Sequence, residues 1–158
     1  MVKIVIYKAK ERIDDIISFD ERLSLEYISE KENMKISFEE YRKRHRELFM
    51  ELLNCSKDAY FITALDDSDK IVGLLWLAIK IDTVSYNEIC YIYDIEIEKA
   101  YRNKGIGTLL MKKAFEICKD NNLEKIALTV EVTNKRALKW YIKQGFKVER
   151  LYLTKNLK

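Results

Sequence analysis

Arg102, Lys104, Gly105, Gly107 and Thr108 fall in one short run, Arg-Asn-Lys-Gly-Ile-Gly-Thr. Cationic side chains beside glycines suit an anion: the cations supply charge, and the glycines permit a tight curl with close approach to bare backbone. Leu109, Leu110, Lys113 and Ala114 then follow at helical spacing, so the run opens a helix whose first N–H groups have no partner inside it. Those N–H groups and the positive end of the helix dipole complete a candidate pyrophosphate cradle over residues 102–108. The ATP-type loop requires GxxxxGK followed by Ser or Thr, which the chain lacks. The dinucleotide fingerprint requires a third glycine where Leu110 stands.

The stretch before the turn reads as a strand. Alternation sends Tyr91, Tyr93, Ile95 and Ile97 to one face and Ile92, Asp94 and Glu96 to the other. A second chemical candidate lies near the end of the chain. The β-rich run 128–133 leads into Asn134, a good N-cap residue, and Ala137, Leu138, Tyr141 and Ile142 follow at helical spacing. Gly145 closes that helix, and Phe146 and Val148 begin another extended run. Tyr141 lies two helical turns after Asn134, so the two share a face. A phenol with a pKa of ~10 can reprotonate a thiolate of pKa ~8.5 within hydrogen-bond reach.

The turn pattern R-x-x-G-x-G at Arg102, Gly105 and Gly107, and the pattern N-x-x-A-x-x-x-Y-x-x-x-G-F from Asn134 to Phe146, resemble the two signatures of the GNAT family of N-acetyltransferases. The resemblance covers residues 89–148. It implies acetyl-CoA as co-substrate, no metal, and direct attack by an amine acceptor without a covalent enzyme intermediate. It also implies that backbone groups of Ile95 and Ile97 hold the pantetheine arm as an added strand would be held. Arg102 and the N–H groups of Asn103, Lys104, Gly105, Ile106, Gly107 and Thr108 would then hold the pyrophosphate. An amide near Ile95 would polarise the thioester carbonyl, Tyr141 would be the general acid, and Asn134 would bond the pantetheine, cap its helix, or both.

The general base departs from the family pattern. Relatives carry a glutamate at positions matched here by Tyr91 and Tyr93, or on the next strand where Thr129 stands. Glu96 is the remaining candidate, although alternation aims it and Asp94 away from that face unless a bulge re-aims them. Lys99 stands where relatives often have proline. The missing base keeps two rivals open: a noncatalytic acyl-CoA-binding module, and a protein-interaction domain of the same fold.

With 158 residues, the chain has the size of one domain, expected over residues 1–158. A formal net charge of +3 lacks the basic stripe that nucleic acid would need. Cys55, Cys90 and Cys118 are widely spaced and read as reduced core residues of a cytoplasmic protein. The longest apolar run, residues 71–81, contains Gly73 and Lys80 and is too short to cross a bilayer.

The elements that position these residues follow in order. Residues 2–7 form a strand, and residues from Glu11 through Tyr27 suggest a helix broken near Ser18 to Asp20. Ser37 to Glu40 is a capping box opening an amphipathic helix through Leu52. Its lone histidine, His45, and its cations Arg42, Lys43, Arg44 and Arg46 read as a packed residue and a solvated face. Strands 60–65, 71–81 and 88–97 form an antiparallel meander, and the helix from Gly105 to Asn121 crosses over to a parallel strand at 125–132. The fold class is α/β (α+β): one central mixed, mostly antiparallel sheet with helices on both faces. Residues 150–157 alternate and form a candidate edge strand for a homodimer.

Overall fold

The computed structural model describes residues 1–31 and 35–158, with the side chains of 29–31 outside that description. The chain divides into two compact units, Met1–Leu128 and Thr129–Lys158. The first unit holds β1 (Lys3–Lys8), α1 (Ile13–Lys31), α2 (Phe38–Cys55), β2 (Asp58–Leu65), β3 (Ile71–Ile81), β4 (Glu88–Ile97), α3 (Ile106–Asp120) and β5 (Ile126–Leu128). The second holds α4 (Lys135–Lys143). The sheet order is β1-β2-β3-β4-β5; the first four strands run antiparallel and β5 lies parallel to β4. The mixed sheet inferred from the sequence is therefore the sheet observed.

Local chemistry sets the boundaries. Asp66 closes the β2–β3 turn: its Oδ1 accepts from Ser68 N at 2.8 Å and Lys70 N at 3.0 Å. Ser37 Oγ caps α2 by accepting from Glu40 N at 3.1 Å, an orphan donor of the first turn. The expected break in α1 does not occur. Ile16, Ile17, Phe19 and Leu23 are all buried, and packing of that stripe on the sheet outweighs the weak helix preference of Ser18 and Asp20.

The two faces of the sheet are covered differently. On one, α1 and α2 bury Phe49, Phe61 and Trp76, with the Phe49 and Trp76 rings stacked 4.1 Å apart. On the other, α3 buries Ile106, Leu110, Met111 and Ala114. Gly73 is required here for room, since a Cβ would stand 3.1 Å from Ile97 Cδ1 and 3.4 Å from Ile106 Cγ2.

The cysteine expectation is corrected. Cys90 of β4 and Cys118 of α3 are buried but joined in a disulfide, with Cα atoms 6.2 Å apart, and Cys55 is free and exposed. Spacing in the sequence cannot reveal this pair, because only the packing of α3 beneath β4 brings the two sulfurs together. The pairing removes the thiol argument for a cytoplasmic compartment. No helix of the described residues is long and apolar enough to cross a membrane.

In the second unit, Asn134 Oδ1 caps α4 by accepting from Ala137 N at 3.3 Å. Gly145 takes φ 98°, the left-handed conformation that ends the helix with little steric cost to glycine. The extended runs at 146–148 and 150–157 form no strand, and the expected strand at 125–132 ends at Leu128. A strand exists only where a ladder partner exists; Leu151, Tyr152 and Leu153 are exposed instead. Because Phe49 fills the space between α2 and the sheet, Phe49→Ala is expected to cost about 3–5 kcal/mol of stability. Urea titration followed by circular dichroism measures it.

Candidate active site

A bulge in β4 decides which side chains meet. Trp76 of β3 pairs with Asp94 but Leu77 pairs with Ile92, so Tyr93 has no residue opposite it. Partners across a ladder share a face, so Tyr91 (opposite Ala78), Asp94 (opposite Trp76) and Glu96 (opposite Leu74) all lie on the face covered by α1 and α2. The Tyr93 ring joins them, 4.7 Å from Trp76 and 5.0 Å from Tyr91. Ile92, Ile95 and Ile97 lie on the α3 face. The alternation that separated Glu96 from the tyrosines is thus overturned by one extra residue.

The same strand is paired on only part of its outer edge. β5 is hydrogen-bonded along Cys90, Tyr91 and Ile92 and ends there. Glu98 N donates to Val72 O at 2.8 Å, and antiparallel alternation from that bond turns the N–H and C=O groups of Ile95 and Ile97 toward the edge away from β3. Among the described residues no strand pairs with that edge beyond Ile92. The Ile97 carbonyl accepts from Arg102 Nε at 2.9 Å, which folds the arginine back onto the strand.

From this edge the chain runs through a single 3₁₀ turn, Lys99–Tyr101, into the N-terminus of α3. Asn103 and Gly105 take φ 62° and 80°, the curl that brings the start of the helix round. The first bond of α3 runs from Leu109 N to Gly105 O at 3.2 Å, so the amides of Ile106, Gly107 and Thr108 precede the helical ladder. A Cβ on Gly105 would meet nothing within 4 Å. Arg22 of α1 anchors the turn with two bonds to the Glu98 carboxylate, 2.9 and 2.7 Å, and holds that carboxyl below its ordinary pKa.

On the α1 face, Asp20, Asp94 and Glu96 bring a carboxylate oxygen each within 4.8 Å of one another. The sequence reading names no such cluster. Asp20 is 2% exposed; its Oδ2 lies 2.6 Å from His45 Nε2, and Ser24 Oγ donates to Glu96 Oε1 at 3.2 Å. Burial first, and the charge of Asp20 second, hold the Asp94 and Glu96 carboxyls well above their ordinary pKa. Burial and the same charge push the neighbouring Tyr41 phenol up to about 12. Asp20 and the role of His45 escape sequence reasoning, although one signal was present: Asp20 shares the apolar face of Ile16, Ile17 and Leu23, where a carboxylate requires a reason.

Glu96 therefore stands with Tyr91 and Tyr93 on one face. Ile95, Ile97 and residues 102–108 form a continuous strip of strand edge, turn and helix start. Asn134 and Tyr141 lie in the second unit, where the Tyr141 ring packs 5.4 Å from Trp140 and 5.8 Å from Phe146.

Residues 25–146 match the acetyltransferase (GNAT) family, and the chain belongs to that family. It is similar to a Pyrococcus furiosus structure described as a candidate acetyl transferase, at 38% identity and a TM-score of 0.86, covering 98% of this chain and 100% of that one. It is 35% identical over 103 residues to the Bacillus subtilis protein YxbD, covering 65% of this chain and 58% of that protein. A shorter match, 43% over 56 residues, covers 35% of this chain and 20% of N-alpha-acetyltransferase 30 of Xenopus laevis. The chain thus spans less than two thirds of either of these two relatives.

A carboxyl whose folded-state pKa is raised favours folding below the ordinary carboxylate range, and that advantage is lost as pH rises through the raised value. Glu96→Gln removes one of three like charges and keeps an acceptor for Ser24. The variant is therefore expected to melt higher than wild type at pH 8, by on the order of 1 kcal/mol or about 2–4 °C, with the difference vanishing near pH 4. Melting curves across that pH range check it.

Proposed function

We propose that this chain is an acetyl-CoA-dependent N-acetyltransferase that transfers the acetyl group directly to a primary amine, and that its two units work as one acetyltransferase domain. The observation that carries the reading is the edge of β4 at Ile95 and Ile97, which no strand of the described residues pairs and on which only the Ile97 carbonyl is taken, by Arg102, leading straight into the bare amides at the start of α3. An extended pantetheine arm has the length and bonding pattern to lie along such an edge, and a pyrophosphate suits the turn beyond it. Arg102, Asn103, Lys104, Gly105, Ile106, Gly107 and Thr108 would hold that anion, and the open space at Gly105 fits a close approach. Bound acetyl-CoA would supply an activated thioester.

The chain's own groups supply the rest. An N–H on the β4 edge near Ile95 would donate to the oxygen on which negative charge develops. Glu96, with its raised pKa, lies closer to neutrality than an ordinary carboxylate and so is a stronger base once ionised. Tyr141 is the proposed proton donor to the leaving thiolate, and Asn134, already capping α4, is a further proposed contact to the pantetheine. Membership of the acetyltransferase family supports the reaction class.

Thermal melting with excess acetyl-CoA tests the reading. At 100 times its Kd the ligand is expected to stabilise wild type by about 2.7 kcal/mol, and Gly105→Glu is expected to lose that shift. A glutamate there places negative charge in the cradle and strains a backbone with φ 80°. No shift in wild type would refute the cofactor assignment and favour an interaction domain; a shift without turnover on any amine would favour a binding module. In the active enzyme, Tyr141→Phe is expected to lower kcat by about 100-fold or more with little change in acetyl-CoA affinity.

A further inference from the structure

The disulfide between Cys90 and Cys118 takes no part in acetyl transfer, yet its position is bound up with the cofactor strip. It closes a loop whose ends lie 28 residues apart in the chain. That loop contains Ile95 and Ile97 on the β4 edge, the turn at Arg102 to Lys104, and the start of α3 at Gly105 to Thr108. Every first-unit residue proposed for acetyl-CoA therefore lies between the two cysteines. The bond also sits where three elements meet. Cys90 N donates to Lys125 O at 3.0 Å just before β5, and Leu123 N donates to Cys118 O at 3.0 Å just after α3. The connection from α3 to β5 thus hangs from the backbones of the two bridged residues.

A break in that bond is felt at the cradle. Cys90 is fully buried and Cys118 is 5% exposed, so both sulfurs lie in the close-packed interior. Unbonded sulfurs approach only to van der Waals contact, so a pair of thiols needs more room than the bridge and pushes α3 and β4 apart. Little opposes this at that end, because β5 is paired to β4 only along Cys90, Tyr91 and Ile92. The helix transmits the displacement. Its buried face runs through Ile106, Leu110, Met111, Ala114 and Ile117 to Cys118, and at 1.5 Å per residue Ile106 lies about 18 Å along it from Cys118. The far end of that body carries the bare amides of Ile106, Gly107 and Thr108.

We propose that Cys90 and Cys118 form a reversible redox switch on cofactor binding. Bridged, they hold the β4 edge and the α3 amides at the spacing an extended pantetheine and its pyrophosphate require; as thiols, they let the two part and affinity falls. This rests on the acetyltransferase reading of the same strip, to which it adds a second, weaker-binding state. The chemistry balances with a dithiol as reductant. The S–S bond breaks, each sulfur gains one electron and one proton, and the dithiol that supplies them closes its own disulfide. The buried sulfurs become reachable when the short β4–β5 ladder opens locally. By linkage, a cofactor that prefers the bridged form makes the bridge harder to reduce by the same factor.

Calorimetric titration of the whole protein with acetyl-CoA, before and after treatment with tris(2-carboxyethyl)phosphine, tests the switch. The phosphine has no thiol to exchange with the thioester; it gives two electrons, takes oxygen from water, and leaves the water's protons for the two sulfurs. Alkylation in denaturant, read by mass, is expected to label Cys55 alone before treatment and Cys55, Cys90 and Cys118 after it. Reduction is expected to weaken acetyl-CoA about tenfold, within the usual range for coupled sites, with the circular dichroism spectrum unchanged. The double variant Cys90→Ser with Cys118→Ser, the nearest mimic of two thiols, is expected to bind with the weaker affinity and to ignore the phosphine. Equal affinity in the bridged and reduced forms, or a reduced form that unfolds, overturns the switch, makes the disulfide a structural brace, and leaves the cofactor reading standing. A bridge that the phosphine cannot open in the folded protein, or three labelled cysteines before treatment, overturns it as well. Absence of acetyl-CoA binding in both forms refutes the cofactor reading and the switch together.

Discussion

One extra residue in β4 governs the site. Without the bulge at Tyr93, strict alternation would place Asp94 and Glu96 on the α3 face, among Ile106, Leu110 and Met111, where two carboxylates would have no polar company. With it, both side chains turn toward α1 and α2, and the isoleucines that follow turn toward α3. The bulge also adds local bend and twist to a strand that β5 accompanies only through Ile92. A single inserted residue therefore selects the acidic face of the strand.

The surroundings hold that arrangement in place. Phe49, Phe61 and Trp76 fix α2 against the sheet, and α2 carries His45 to Asp20. Arg22 of α1 reaches Glu98 at the end of β4, so the helix bearing Asp20 is tied to the strand bearing Glu96 by a two-bond ion pair. On the opposite face, Gly73 allows Ile97 and Ile106 to close against the sheet, which positions the start of α3 at the end of β4. Two packing layers thus converge on one strand: one supplies charge, the other supplies bare amides.

The electrostatics follow from this enclosure. Drawn under two helices beside Asp20, the Asp94 and Glu96 carboxyls ionise less readily than they would in water, chiefly through burial and next through the charge of Asp20. Glu98 shows the contrast within the same strand end: partly exposed and paired with Arg22, it ionises more readily than usual. Neighbouring acids of one chain are pushed in opposite directions by burial and by pairing.

Much of this was legible in the sequence. The periodicities of 71–81 and 106–120, the Ser37 and Asn134 caps, the glycines of the turn and the parallel crossover are local or nearly local properties, so the residues themselves determine them. The family signatures at Arg102 to Gly107 and Asn134 to Phe146 are equally local. What tertiary structure alone decided depends on which strand registers with which. The pairing of Trp76 with Asp94 across a bulge, the approach of Asp20 from 74 residues earlier in the chain than Asp94, and the joining of Cys90 to Cys118 each arise from partners that no window of sequence contains. A period of two predicts a face only while every residue has a partner, and a helix break is predicted only until a buried stripe overrides it.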